Sequence, residues 1–188
     1  MRFGFIGGLI GLAALAWAAS GPQLTLRDSE GLLHSSDEWS HARATVIFFV
    51  TTDCPLSNGY APEMNRLEQA YAPKGVRFLA VQGDATIPDA DVRQHAKDYA
   101  YRFPVLLDPK ESLAHYTGAT ITPEAAVLSP TGEVVYLGRI DNRVEDFGKV
   151  RYEPTEFDLR NALDAILAGR PVAHPRTHAF GCSIVPAS

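Results

Sequence analysis

The chain has two cysteines, Cys54 and Cys182, and the surroundings of the first are those of a reactive thiol. Phe49-Val50-Thr51-Thr52-Asp53-Cys54-Pro55 joins an apolar, β-branched and aromatic run to a helical pattern, so the thiol falls at a helix start. There it meets the unsatisfied N–H groups of the first turn and the positive end of the helix dipole. Both favour the thiolate, which is the nucleophile. Pro55 suits the first helical position, where its missing N–H costs nothing. Asp53 acts the other way if its carboxylate turns toward the sulfur. The alternative is that Cys54 is a small buried hydrophobe without chemistry.

Cys182 lies 128 residues further on, in Gly181-Cys182, and His174, His178 and Cys182 recur every four residues. With Cys54 these four could form a two-cysteine, two-histidine site for copper or zinc. Pro175 interrupts any regular helix through them. His34, His41, His95 and His115 show no ligand-like grouping and read as surface or hydrogen-bonded residues.

The elements that must hold these residues follow from periodicity. Ala44 to Val50 and Val76 to Gln82 are nearly continuous apolar runs, the pattern of central strands buried on both faces. Between them Tyr60, Met64, Leu67 and Tyr71 draw one helical stripe, closed by Pro73 and Gly75. Asp89 to Tyr101 reads as a helix with Val92, Ala96 and Tyr99 inward, and Phe103 to Leu107 as a short strand. A brief helical piece over Lys110 to Tyr116 leads to Gly118 and Thr122-Pro123. Glu124 to Ser129 and Glu133 to Gly138 flank Pro130-Thr131-Gly132 as an antiparallel hairpin. Thr155 is a candidate cap for a last helix, with Asp158 in capping-box position, a stripe of Leu159, Leu163, Ile166 and Leu167, and Gly169 and Pro171 at its end. Alternation followed by a hairpin implies an α/β domain with a mixed sheet between helical layers. The charged loop from Asp141 to Glu153 reads as a solvated face, and Tyr60, Tyr71, Phe157 and Phe180 as core or docking residues.

The Cys54-Pro55 turn after a buried strand, Thr122-Pro123 before the hairpin, and the hairpin itself, in that order, resemble the thioredoxin superfamily over residues 24–168. Within it the chain is most similar to exported redoxins, between TlpA-like thioredoxins and AhpC/TSA peroxiredoxins. The resemblance implies a three-layer α/β/α thioredoxin fold, with Pro123 in cis facing Cys54. It implies thiol–disulfide exchange or peroxide reduction, with electrons from an external thiol and no organic cofactor. The partners implied are that thiol reductant, a disulfide-bearing protein or a small peroxide. Thr51 matches the threonine of the peroxiredoxin motif, but Ile47 stands where its proline would be, and Arg139 and Arg143 are candidates for its arginine. Ser57 stands where a dithiol thioredoxin has its second cysteine. A C-terminal resolving cysteine is a peroxiredoxin arrangement, which makes Cys182 a candidate partner of Cys54. A purely structural disulfide and no pairing are the alternatives. Sco-type copper proteins share the fold but use Cys-x-x-x-Cys, and position 58 here is Asn58. A redoxin domain that has lost catalysis is the remaining alternative.

The N-terminus has Arg2, an apolar run from Phe3 to Trp17 and a small-x-small Ala16-Trp17-Ala18. This reads as a signal peptide over 1–18, a redoxin domain over 19–170 and a tail over 171–188, exported to the periplasm or beyond. An uncleaved anchor is the alternative. A net charge of -5 and the lack of any Lys or Arg block argue against nucleic acid or an anionic membrane as partner.

Overall fold

The computed structural model describes residues 21, 23–146 and 148–184, so the expected signal segment, 1–18, lies outside the described residues. β1 (Thr25–Asp28) and β2 (Leu33–Ser35) form an antiparallel edge. β3 (Ala44–Val50) follows, with every residue buried, and leads into α1 (Pro55–Tyr71). β4 (Val76–Gln82) pairs with β3 in parallel from Ala44↔Val76 to Val50↔Gln82. After α2 (Asp89–Asp98), β5 (Val105–Leu107) extends the parallel set beside β4. α3 (Ser112–Thr117) and the short β6 (Ile121–Thr122) precede the antiparallel hairpin of β7 (Glu124–Leu128) and β8 (Val134–Gly138). β9 (Val144–Asp146) and β10 (Lys149–Val150) pair within the charged loop. α4 (Asp158–Leu167) and β11 (Cys182–Ser183) complete the order.

The main sheet runs β2-β1-β5-β4-β3-β7-β8, with β3 central. Its period-two alternation divides the core. Val46, Phe48 and Val50 pack with Met64, Leu67, Leu159 and Leu163 from α1 and α4. Ile47 and Phe49 pack on the other side with Leu79, Val81 and with Leu113 and Ala114 of α3. The result is the three-layer α/β/α thioredoxin fold, with its mixed sheet ending in the expected hairpin.

Two local expectations give way to tertiary contacts. Tyr99 is exposed, because α2 stops at Asp98 and Ala100 takes a left-handed φ of 51°. The chain reverses there and Tyr101, stacked on Phe103, goes inward instead. Thr155 does not cap α4, which starts at Asp158. Asn142 Oδ1 accepts the backbone N–H groups of Thr155 and Glu156 at 2.8 and 3.0 Å, and Asp158 accepts from Arg139 Nε at 2.7 Å. The segment expected to cap the helix anchors the charged loop instead. Asp141 belongs to the same anchor: it accepts the Tyr60 hydroxyl at 2.7 Å, and Arg143 lies over the Tyr60 ring. Of the aromatic residues expected in core or docking positions, Tyr60 and Tyr71 are buried, whereas Phe157 is exposed beneath the Arg160 guanidinium.

Candidate active site

Cys54 is the N-cap of α1 with extended backbone (φ -91°, ψ 109°), and Pro55 is the first helical residue. The register is imposed by β3, whose buried run ends at Val50, leaving a four-residue turn to the helix. Cys54 is 1% exposed and forms a disulfide with Cys182, Cα to Cα 6.2 Å. Cys182 is the more accessible member of the pair. The 2-residue β11 lies antiparallel to β6, pairing Cys182 with Thr122 and Ser183 with Ile121. Thr122-Pro123 is a cis peptide, as the resemblance implies, and the Thr122 carbonyl lies 3.3 Å from Cys54 Sγ.

The tail reaches this position along a built track. Leu137 N–H donates to Pro175 O at 2.9 Å and Thr177 N–H to Leu137 O at 3.2 Å. Thr177 Oγ1 accepts from Arg139 N–H at 3.1 Å and lies 2.8 Å from the Tyr136 hydroxyl. Ile184 N–H donates to Thr120 O at 2.9 Å. A Cβ on Gly138 would run into Thr177, and one on Gly181 into the Thr122 carbonyl. Glycine at both positions is what lets the tail lie this close to the sheet. Gly181 stands beside Cys182 in the sequence, and that adjacency is the one local signal for the seat.

The other residues expected at the site divide. Thr51 Oγ1 donates to Asp53 Oδ1 at 2.8 Å, in an exposed pair. Arg139 is engaged by Glu156 and Asp158, and Arg143 by Asp141. Each candidate arginine thus already faces carboxylates. Ser57 is fully buried, and its hydroxyl has no hydrogen-bond partner among the described residues. His178 stands edge-on to Phe180, and His174 lines a surface depression along α4. Among the described residues no three His, Cys, Asp or Glu side chains gather as a metal site, and both sulfurs are occupied by each other.

Two supporting side chains escape the sequence reading. Asn58 Nδ2 donates to Thr52 O at 2.9 Å, and Asn58 Oδ1 accepts from His95 Nε2 at 2.7 Å, tying α2 to the turn before Cys54. Burial pushes the His95 imidazole below its usual pKa, against an opposing pull from Asp98. Glu124, next after Pro123, is buried, and its Oε2 accepts from Thr120 and Ile121 N–H at 3.0 and 3.4 Å. Burial raises its pKa, outweighing those bonds and the nearby Arg176 and His178.

Comparison with known proteins fits this geometry. The chain is 26% identical over 121 residues to the thiol-disulfide oxidoreductase ResA of Geobacillus thermodenitrificans, covering 64% of this chain and 68% of that one. The corresponding protein of Bacillus thuringiensis subsp. konkukian is 26% identical, covering 61% and 64%. The chain thus spans about two-thirds of the length of these curated relatives. Among solved structures, an uncharacterized conserved protein from Geobacillus kaustophilus superposes with TM-score 0.77 at 30% identity, covering 88% of this chain and 89% of that one. A hypothetical protein from Sinorhizobium meliloti 1021 gives TM-score 0.77 at 28% identity, covering 88% and 92%. The Redoxin family model matches residues 18–153, a span that contains the Cys54 turn and Pro123 but not Cys182. The protein belongs to the redoxin family.

Proposed function

We propose that the protein is a thiol–disulfide oxidoreductase in which Cys54 and Cys182 form the redox couple. The observation that carries this reading is the disulfide itself: a helix-capping cysteine beside the cis-proline, paired with a cysteine delivered by the tail. The named relatives are thiol-disulfide oxidoreductases, which supports the same class.

In the dithiol form the Cys54 thiolate attacks a substrate disulfide. The substrate S–S bond breaks, one substrate sulfur leaves as a thiolate that takes up a proton, and a mixed disulfide forms on Cys54. The Cys182 thiolate then attacks Cys54 Sγ, releasing the second substrate thiol and forming the Cys54–Cys182 disulfide. The substrate gains two electrons and the chain loses two. An external dithiol returns the chain to its reduced form. No bound cofactor enters either step, and the partners are a disulfide-bearing protein and a thiol donor. The peroxide branch has less support, because the Thr51 hydroxyl donates to Asp53 and both candidate arginines face carboxylates. Export to an oxidising compartment, where disulfides persist, is consistent with the pairing and with the N-terminal pattern.

The test is turnover of a protein disulfide substrate such as insulin with dithiothreitol as electron donor. Cys54→Ser should abolish turnover. Cys182→Ser should allow the first attack and stall as a mixed disulfide on Cys54, visible by intact mass. Unchanged turnover in Cys54→Ser would overturn the assignment.

A further inference from the structure

A cavity of about 220 Å³ opens beside the disulfide, where the carboxyl ends of the parallel strands meet. Asp53 follows β3, Gln82 ends β4 and is followed by Asp84, and Asp108 follows β5. Ligands of open α/β sheets bind at such strand ends. Cys182, Ser183 and Ile184 of the tail form another wall, so whatever enters the cavity lies against the Cys182 side of the disulfide.

Its chemistry is one-sided. Asp53, Asp84, Asp108 and Glu111 line it, and among the described residues no lysine, arginine or histidine does. Two lining groups are buried and incompletely satisfied. Asp108 is 0% exposed; its Oδ2 accepts from Leu113 N–H at 2.8 Å, but its Oδ1 has no partner among the described residues. Gln82 is 4% exposed; its Oε1 accepts from Asp84 N–H at 3.3 Å, but its Nε2 finds no acceptor among them. Buried polar atoms left without partners are costly and call for an explanation. The missing partners are a donor for Asp108 and an acceptor for Gln82. Phe49, Val81, Ala114 and Ile184 also line the cavity and give it apolar surface suited to an aliphatic stem. A lysine or arginine residue of a peptide offers all three features: N–H donors on a cation, a methylene stem and a backbone carbonyl. A free amine lacks the acceptor.

We propose that this cavity is a substrate-recognition subsite for a lysine or arginine side chain adjacent to the reacting cysteine of the partner protein. The proposal rests on the disulfide-exchange reading. Charge-assisted hydrogen bonds to desolvated carboxyl groups are the stronger kind, and they discriminate sharply against a neutral or acidic residue at the same place.

The experiment compares exchange rates of the reduced full-length protein with four synthetic peptides, each holding its cysteine as a disulfide with the same small thiol. In three of them the neighbouring residue is lysine, norleucine or glutamate; the fourth moves the lysine six positions away. The adjacent-lysine peptide should react faster than the norleucine peptide by about tenfold or more, with the glutamate peptide slowest. The displaced-lysine peptide should behave like norleucine. Asp108→Asn and Glu111→Gln should each bring the lysine-to-norleucine ratio toward one. Equal rates for lysine and norleucine overturn the subsite. So do equal rates for the two lysine peptides, since long-range attraction to an acidic protein then accounts for the preference. Failure of all four to exchange overturns the oxidoreductase reading itself. The peptide comparison on the unaltered protein decides the matter even if a variant does not fold.

Discussion

Among individual residues, the two cysteines are not equivalent. Cys54 is buried at the head of a 17-residue helix, whereas Cys182 sits on a short surface strand and is the more accessible. Disulfide exchange depends on which sulfur can be reached and on how well the other leaves. For the external reducing thiol, as distinct from the substrate disulfide that exchanges at Cys54, access favours attack at Cys182, and the helix N-terminus favours Cys54 as the leaving thiolate. A limiting amount of glutathione should therefore give a glutathione adduct on Cys182 with Cys54 free, which peptide mapping after alkylation will show. An adduct found on Cys54 alone would contradict this order. Ser57 offers a second check, because it is buried one helical turn from Cys54 where a dithiol thioredoxin has its second cysteine. Ser57→Cys should pair the introduced thiol with Cys54 in most molecules and leave Cys182 open to alkylation. Cys54 is readable from the sequence because local rules fix it, a strand end and a proline at the first helical position, whereas the cis-Pro123 facing it is expected through the family resemblance. The pairing of Cys54 with Cys182 is not readable, since a separation of 128 residues leaves several outcomes equally compatible with spacing. The role of Asn58 is hidden too, because its second partner, His95, lies on another helix.

Among the elements, the tail and α2 are both tied to the segment around Cys54, the tail through the disulfide and α2 through Asn58. The tail is seated by Gly138 and Gly181, so Gly181→Ala should force β11 away from Thr122. The cost, about 1–3 kcal/mol, falls mainly on the oxidised form, where β11 is locked against β6. The disulfide should accordingly become about tenfold or more easier to reduce in a glutathione redox titration. From α2, His95 holds Asn58, which holds Thr52. Burial keeps the folded imidazole pKa below 6.5, the value the unfolded chain retains, so the unfolded state binds the proton first on acidification. Stability from this source is full above about pH 6.5 and is lost as pH falls toward the folded value. Denaturant midpoints measured from pH 7.5 to 5 should fall, and His95→Gln should flatten that part of the profile. The element boundaries follow the same logic. β3 and β4 are legible to the residue, because a strand buried on both faces writes a continuous apolar run. The start of α4 and the orientation of Tyr99 are not, because Asn142, Arg139 and the left-handed Ala100 decide them through contacts remote from any local pattern.

Across the whole molecule, one covalent bond closes most of the domain. Cross-linking residues 128 apart removes enough freedom from the unfolded chain to stabilise the fold by about 5 kcal/mol in the chain-entropy model. Reduction should therefore lower the melting temperature by roughly 10 °C while leaving the sheet intact, since the buried core clusters are built without β11 and only its neighbours Phe180 and Ile184 pack against them. Circular dichroism with and without reductant checks both halves. The redoxin match ends at residue 153, before α4 and the tail, so it contains Cys54 and Pro123 while Cys182 lies beyond it.

Thiol counting by intact mass on the folded protein, across a graded series of glutathione redox buffers, decides most directly whether Cys54 and Cys182 are a redox couple. A couple requires that two thiols appear and disappear together, reversibly, and that Cys182→Ser abolishes the paired transition. A disulfide that resists every buffer until the protein unfolds would make the bond structural and rule the couple out.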